Sequence, residues 1–157
     1  MKSSKSIFLI IALAAITLSC SDDNNDVESI YEDLTFSEIG TYTEEMTSEN
    51  IDNSDNNRIA EGTVMAYRTS DNYLGKLVVV VNDGSNNNGL VFHHATYNDD
   101  AQIIFENENV EIRGTFSYSL DDAGDDFRLV NETVSTRHIE PLRGAEFTIV
   151  GVDPTFE

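Results

Sequence analysis

The feature that most restricts what this chain can fold into is an alternation of period two. Val110, Ile112, Gly114, Phe116, Tyr118 and Leu120 interleave with Glu111, Arg113, Thr115, Ser117 and Ser119. Successive side chains of an extended strand point to opposite faces, so this stretch has one apolar face and one wet face. A helix would scatter the same residues around its circumference. The chain therefore contains a strand of a half-solvated sheet, and the flanking sequence must supply its partners.

Those partners can be read in order. Ile59 to Arg68 mixes β-branched and aromatic residues around one glycine and predicts a bent strand. Leu74 to Val81 is an apolar run bounded by turn residues, which suits a strand buried on both faces. Asn82 to Gly89 is turn chemistry, and Leu90 to Tyr97 returns as the next strand. Asn98, Asp99 and Asp100 are read as the cap of a short helical turn over Ala101 to Phe105. Asp121 to Asp126 reverses the alternating strand. Phe127 to Ile139 runs back, with a bulge expected near Val130 and Asn131, and Ala145 to Val152 forms a last strand after Pro141.

Three strands, a short helix and two strands over residues 58–139 give the element order of an OB-fold, a small Greek-key barrel. The pair VEIRGTFSYSL and FRLVNETVSTR resembles the last two strands of bacterial OB-fold modules. The expected fold is all-β: an OB-fold-like Greek-key barrel of five to seven strands with at most one short helix, over residues 58–152. A β-sandwich or a lipocalin-like barrel accommodates the same pattern. None of these folds would by itself give a function.

The N-terminus carries an address. Lys2 and Lys5 precede an apolar run, Ile7 to Leu18, whose helical length of about 18 Å is short of the ~30 Å bilayer core. A basic head, a short apolar core and a small residue before a cut site describe a secretory signal over residues 1–19. Thr17-Leu18-Ser19-Cys20 resembles the lipobox of bacterial lipoproteins, in which the cysteine thiol is lipidated and becomes the mature N-terminus. The pattern departs at Thr17, where that family prefers leucine. The resemblance implies a diacyl or triacyl anchor at Cys20; each buried methylene contributes ~0.8 kcal/mol, and stable anchoring takes more than one chain. The acidic run Ser21 to Asp26 resembles the export tag of surface-displayed lipoproteins of the Bacteroidota, which implies an outer-membrane protein facing the cell surface. A solvated tether on the periplasmic side fits the same run.

Charge narrows the partners. The chain has 29 acidic and 9 basic residues, a formal net charge of −20. Such a surface repels phosphate backbones and anionic headgroups, so nucleic acid is excluded as a partner. No lysine or arginine lies between Cys20 and Asn57, which makes residues 20–57 an acidic tether. Ile30, Tyr31, Leu34, Phe36, Ile39 and Tyr42 interrupt it, so residues 30–42 are expected to dock as an edge strand or a single helical turn. Cys20 is the only cysteine, and no disulfide can form within the chain.

Motifs of known chemistry are scarce. The sequence has no Gly-x-Ser-x-Gly elbow, no His-Glu-x-x-His and no phosphate loop, so it carries no sign of catalysis and calls for no cofactor. His93 and His94 are adjacent in an expected strand and leave opposite faces, a poor arrangement for a shared metal. Asp121, Asp122, Asp125 and Asp126 lack the calcium-loop register and are read as a solvated turn with at most weak calcium binding. Asn131-Glu132-Thr133 matches a glycosylation sequon and is read as coincidence.

The expectation is a non-enzymatic, lipid-anchored envelope protein that binds a sugar, peptide or protein. Its ligand face is expected at Lys76, His93, His94, Arg113, Thr115 and Ser117. An envelope hydrolase using acidic residues and a structural spacer are the rival readings. Convergence of a carboxylate and a histidine in one hollow would favour the hydrolase.

Overall fold

The computed structural model describes residues 27–52, 59–83, 89–131 and 137–156. Cys20 with its signal segment, the acidic run to Asp26, the tip of the Asn82–Gly89 turn and the end of the sequon lie outside them. The protein is all-β, built from two antiparallel sheets. The larger contains β2 (Thr63–Arg68), β3 (Leu74–Asp83), β4 (Gly89–Tyr97), β5 (Ile103–Arg113) and β9 (Glu146–Val152), in the order β5-β4-β3-β2-β9. The smaller contains β1 (Ile51–Asp52), β6 (Phe116–Tyr118), β7 (Phe127–Asn131) and β8 (Arg137–Pro141), in the order β1-β8-β7-β6. No helix among the described residues is long and apolar enough to cross a membrane.

The core lies between the sheets. Met65 and Tyr67 of β2, Leu77 and Val79 of β3, and Leu90 and Phe92 of β4 face Phe127, Leu129 and Ile139 of the smaller sheet. The residues between them point the other way. Val64, Ala66 and Val78 are fully buried on the outer face, under a strap that precedes β1. The strap contains α1 (Ile30–Asp33) and α2 (Phe36–Thr41). Helices this short are not stable alone. Thr35 and Glu38 form a reciprocal capping box at the start of α2, and Tyr31, Leu34, Ile39 and Met46 pack down onto the sheet. Complete burial of Ile39 alone contributes about 2 kcal/mol. The strap then rounds the edge of β9, where Thr47 and Phe147 exchange backbone hydrogen bonds of 3.0 and 2.9 Å, and enters the smaller sheet as β1.

Several local expectations change. The sheets do not close into a barrel, and the described residues form nine strands and two short α-helices rather than the expected five to seven strands and at most one short helix. The alternating stretch is divided between the sheets at Gly114, whose φ of 65° makes the corner. Val110, Ile112, Tyr118 and Leu120 keep to the core, but Phe116 at the corner is 64% exposed. Residues 101–105 are not helical: the Asn98 side chain accepts from the amides of Asp100 and Gln102, forming a hairpin turn with Ala101 at φ 59°. The long return strand Phe127 to Ile139 is instead two antiparallel strands, β7 and β8, paired without a bulge, and the slip near Val130 and Asn131 falls at the end of β7.

The free edge of the larger sheet, β5, is guarded. Its pairing with β4 is interrupted by two register shifts, and its outward residues include Glu106, Glu108 and Glu111. Bulges and charges of this kind discourage pairing with strands of other molecules.

One glycine is fixed by close approach. A Cβ on Gly75 would lie 2.2 Å from the ring of buried Tyr67, whereas one on Gly40 in α2 would meet nothing within 4 Å. Gly75→Ala is expected to cost about 1–3 kcal/mol, as overpacking does, while Gly40→Ala is neutral or stabilises by up to about 1 kcal/mol. Urea denaturation midpoints of the two variants check this pair.

Candidate functional site

A hollow on the described surface brings a cation and a histidine together with carboxylates and phenols. It lies on the outer face of the larger sheet beside α1. The strands bring Lys76 of β3, Ala95 of β4 and Glu106 of β5 into one row, because Lys76 pairs with Ala95 and Ala95 with Glu106. The small Ala95 between two long side chains leaves a depression. Tyr31 and Glu32 of α1, His93 and Tyr97 of β4, and Ile103, Glu106 and Glu108 of β5 wall it into a cleft of about 180 Å³, with Lys76 at its inner side. A wider hollow of about 330 Å³ lies between the strap and Val150, but it is shallow and contains no cation or histidine.

Lys76 is almost wholly buried. Its Nζ donates to the carbonyls of Tyr31 at 2.5 Å and Glu32 at 3.3 Å, and lies 4.6 Å from the centre of the Tyr31 ring. Burial lowers its pKa, opposed by the nearby carboxylates of Glu32, Glu106 and Asp33. The lysine thus pins the strap to the sheet and is already engaged. Tyr31 and Tyr97 have hydroxyl pKa values raised by burial and then by Glu106 and Glu32, so both phenols remain protonated at neutral pH. The cleft presents three carboxylates and two phenols. This set accepts hydrogen bonds from a donor-rich, positively charged group.

The residues expected to share a ligand face are separated. Lys76 and His93 belong to the cleft wall. Arg113 is exposed at the far end of β5 and pairs with Glu111 at 2.6 Å; exposed Thr115 and half-buried Ser117 lie beyond the corner, toward the smaller sheet. Of the acidic turn, Asp126 is buried, accepting from Leu120 N at 2.8 Å and Ser70 N at 2.7 Å, and Asp121 accepts from Ala123 N. Asp122 and Asp125 are exposed. Among the described residues, no group of three or more His, Cys, Asp or Glu is placed to hold a metal ion.

His94 faces inward, as alternation with His93 requires, and is fully buried. Its Nε2 is 3.1 Å from the Tyr118 hydroxyl and its Nδ1 is 3.4 Å from the Tyr67 hydroxyl. Thr96 Oγ1 is 2.7 Å from the Tyr67 hydroxyl and donates to the Leu120 carbonyl. A neutral imidazole protonated at Nδ1 completes this run: Tyr118 donates to His94, His94 to Tyr67, and Tyr67 to Thr96. The string ties the two sheets together and contains no carboxylate.

Tyr31, Glu32, Tyr97, Ile103, Glu106 and Glu108 were missed as site residues. Glu106 and Glu108 sit two apart on one strand face, a signal hidden by reading Ala101 to Phe105 as helical. No family model, no curated protein and no solved structure matches this chain.

Burial depresses the His94 imidazole to about 4 from 6.5. The unfolded chain therefore takes up a proton, as pH falls between these values, that the folded chain resists. The stability that neutral His94 permits is present above pH 6.5 and is lost as pH falls toward 4, by on the order of 3 kcal/mol. His94→Gln removes this titration. Relative to the variant, the wild type should lose about that amount of unfolding free energy between pH 7 and pH 4, measured by chemical denaturation; surface carboxylates titrate in both proteins and cancel.

Proposed function

We propose that this chain is a lipid-anchored protein of a bacterial outer membrane, attached through Cys20 and facing the cell surface, that binds a partner without transforming it. The sequence around Cys20 supports the anchor. The observation that carries the binding role is the outer-face cleft, where Glu32, Glu106 and Glu108 accompany Tyr31 and Tyr97 while Lys76 is held by main-chain carbonyls. The ligand is a positively charged, donor-rich group, such as an amino sugar or the lysine or arginine side chain of a peptide or protein.

A hydrolase reading has one observation in its favour, because His93 and three carboxylates line the same cleft. Its geometry lacks a bonded carboxylate–histidine pair. His93 Nε2 is 3.4 Å from Asn109 Oδ1, and no hydrogen bond joins the ring to Glu32, Glu106 or Glu108. A histidine base is ordinarily oriented by a third group bonded to its ring, and none of the three carboxylates does this for His93.

Chemical-shift titration with glucosamine, a Gly-Lys-Gly peptide and glucose tests the binding role. The two cationic probes should perturb residues around Tyr97 and Glu106, and glucose should not. Glu106→Gln/Glu108→Gln should weaken that binding roughly tenfold, the scale of about 1.4 kcal/mol. Equal binding of glucose, or unchanged affinity in the double variant, would overturn the charge reading. For the anchor, Cys20→Ala should leave an unprocessed precursor, detected by its mass.

A further inference from the structure

If the chain is anchored at Cys20, the length and placement of its tether follow from where the fold takes hold. Ser29 Oγ donates to Asp153 Oδ2 at 2.6 Å, and Tyr31 N donates to the same oxygen at 2.8 Å. Asp153 is fully buried. Its other oxygen accepts from Thr155 N at 2.9 Å and Thr155 Oγ1 at 2.6 Å, while its own amide donates to Gly62 O at 2.7 Å. Asp153 therefore clasps the start of the strap and the C-terminal turn with its carboxylate, and the residue just before β2 with its amide. Lys76 fastens the next residues to the sheet.

We infer that the folded domain stands on a leash of only residues 21–28, and that the pole formed by Gly62, Val152 and the Pro154–Phe156 turn faces the bilayer. The inference rests on the lipid-anchored reading above. Fully extended, residues 21–28 span about 27 Å, and as a flexible coil about 16 Å. By the same coil measure a tether of all of residues 20–57 would average about 34 Å, so packing of the strap roughly halves the leash.

The polarity of the fold agrees with this placement. Thr63 pairs with Val152 at the clasped pole, and Arg68 pairs with Glu146 toward the opposite one. The turns holding Asp71 and the pair Asp99–Asp100 occupy that distal pole, and Asp126 joins it through Ser70. The turns at Asp71, Asp99–Asp100 and Asp126 thus point away from anionic headgroups, while exposed Glu28 and Glu61 stay on the near side. The Tyr97 and Ile103 end of the cleft also faces outward, open to partners beyond the cell.

The test uses the full lipidated chain in phosphatidylcholine vesicles carrying an acceptor dye in the headgroup layer. Lipidation occupies the only native thiol, so Val152→Cys or Asp71→Cys gives one labelling position at each pole. Energy transfer to the membrane dye should be at least twofold stronger from position 152 than from 71. Inserting ten Gly/Ser residues between Asp26 and Val27 should reduce transfer from position 152 markedly. Equal transfer from both poles, or no effect of the insertion, would overturn the inference while leaving the anchor intact. Glu61→Cys, exposed beside Gly62, serves as a second proximal position if Val152→Cys melts at a lower temperature. Mass spectrometry of the N-terminal peptide reads the anchor separately: a free Cys20 thiol would overturn both the lipid-anchored reading and the leash.

Discussion

The structure depends on a sheet that is apolar on both faces. β2 and β3 carry Met65, Tyr67, Leu77 and Val79 on one side and Val64, Ala66 and Val78 on the other. A single facing sheet can cover only one of these sides. The second cover comes from the acidic N-terminal segment, whose few apolar residues become the strap. Tyr31, Leu34, Ile39 and Met46 are sparse in sequence but converge over the second apolar face. The strap's position is fixed at its ends and middle by Asp153, Lys76 and the Thr47–Phe147 bridge, each made to the sheet it covers.

Two sets of polar groups in the interior follow the same logic of pairing across elements. His94, Tyr67, Thr96 and Tyr118 form a directional string between the sheets, in which a neutral imidazole has one donor and one acceptor partner. Asp126 does comparable work at the distal pole, accepting amides from two separate loops. Each group would be costly if unpaired, and each therefore specifies which loop or sheet must lie beside it. Asp126 is thus the residue that closes the acidic turn, and its burial leaves the exposed Asp122 and Asp125 without it as a neighbouring ligand.

The sequence made the all-β class, the doubly buried strand at Leu74 to Val81 and the opposite orientations of His93 and His94 legible. These are consequences of period-two geometry and need no knowledge of distant contacts. The closure was not legible. A strand that crosses from one sheet to another through Gly114 has the same alternation as one that stays in its sheet, except that the residue at the corner, Phe116, is left outside. Likewise, Asn98 offers its side-chain oxygen to amides in a helix cap and in a hairpin turn alike, and only the pairing of Ile103 with Tyr97 decides between them. The cleft was hidden for a related reason. It combines α1 with β3, β4 and β5, and the strap that completes it was the part of the chain with the weakest local pattern.

The carboxylates at the cleft have two consequences at once. Glu106 and Glu108 stand on the free edge of β5, where their charge disfavours self-pairing: two copies joined antiparallel about Glu108 would set like charges face to face. They also remain outside the ion pairs that engage Arg68 with Glu146, Arg113 with Glu111 and Arg128 with Glu140. Lys76 offsets them only in part, one ammonium among three carboxylates, and its hydrogen bonds go to main-chain carbonyls rather than to Glu106 or Glu108. The same charge that keeps foreign strands from the edge thus leaves a negative potential beside two protonated phenols. An incoming cation gains both that potential and the phenolic oxygens, whereas a neutral ligand of the same shape gains only the second.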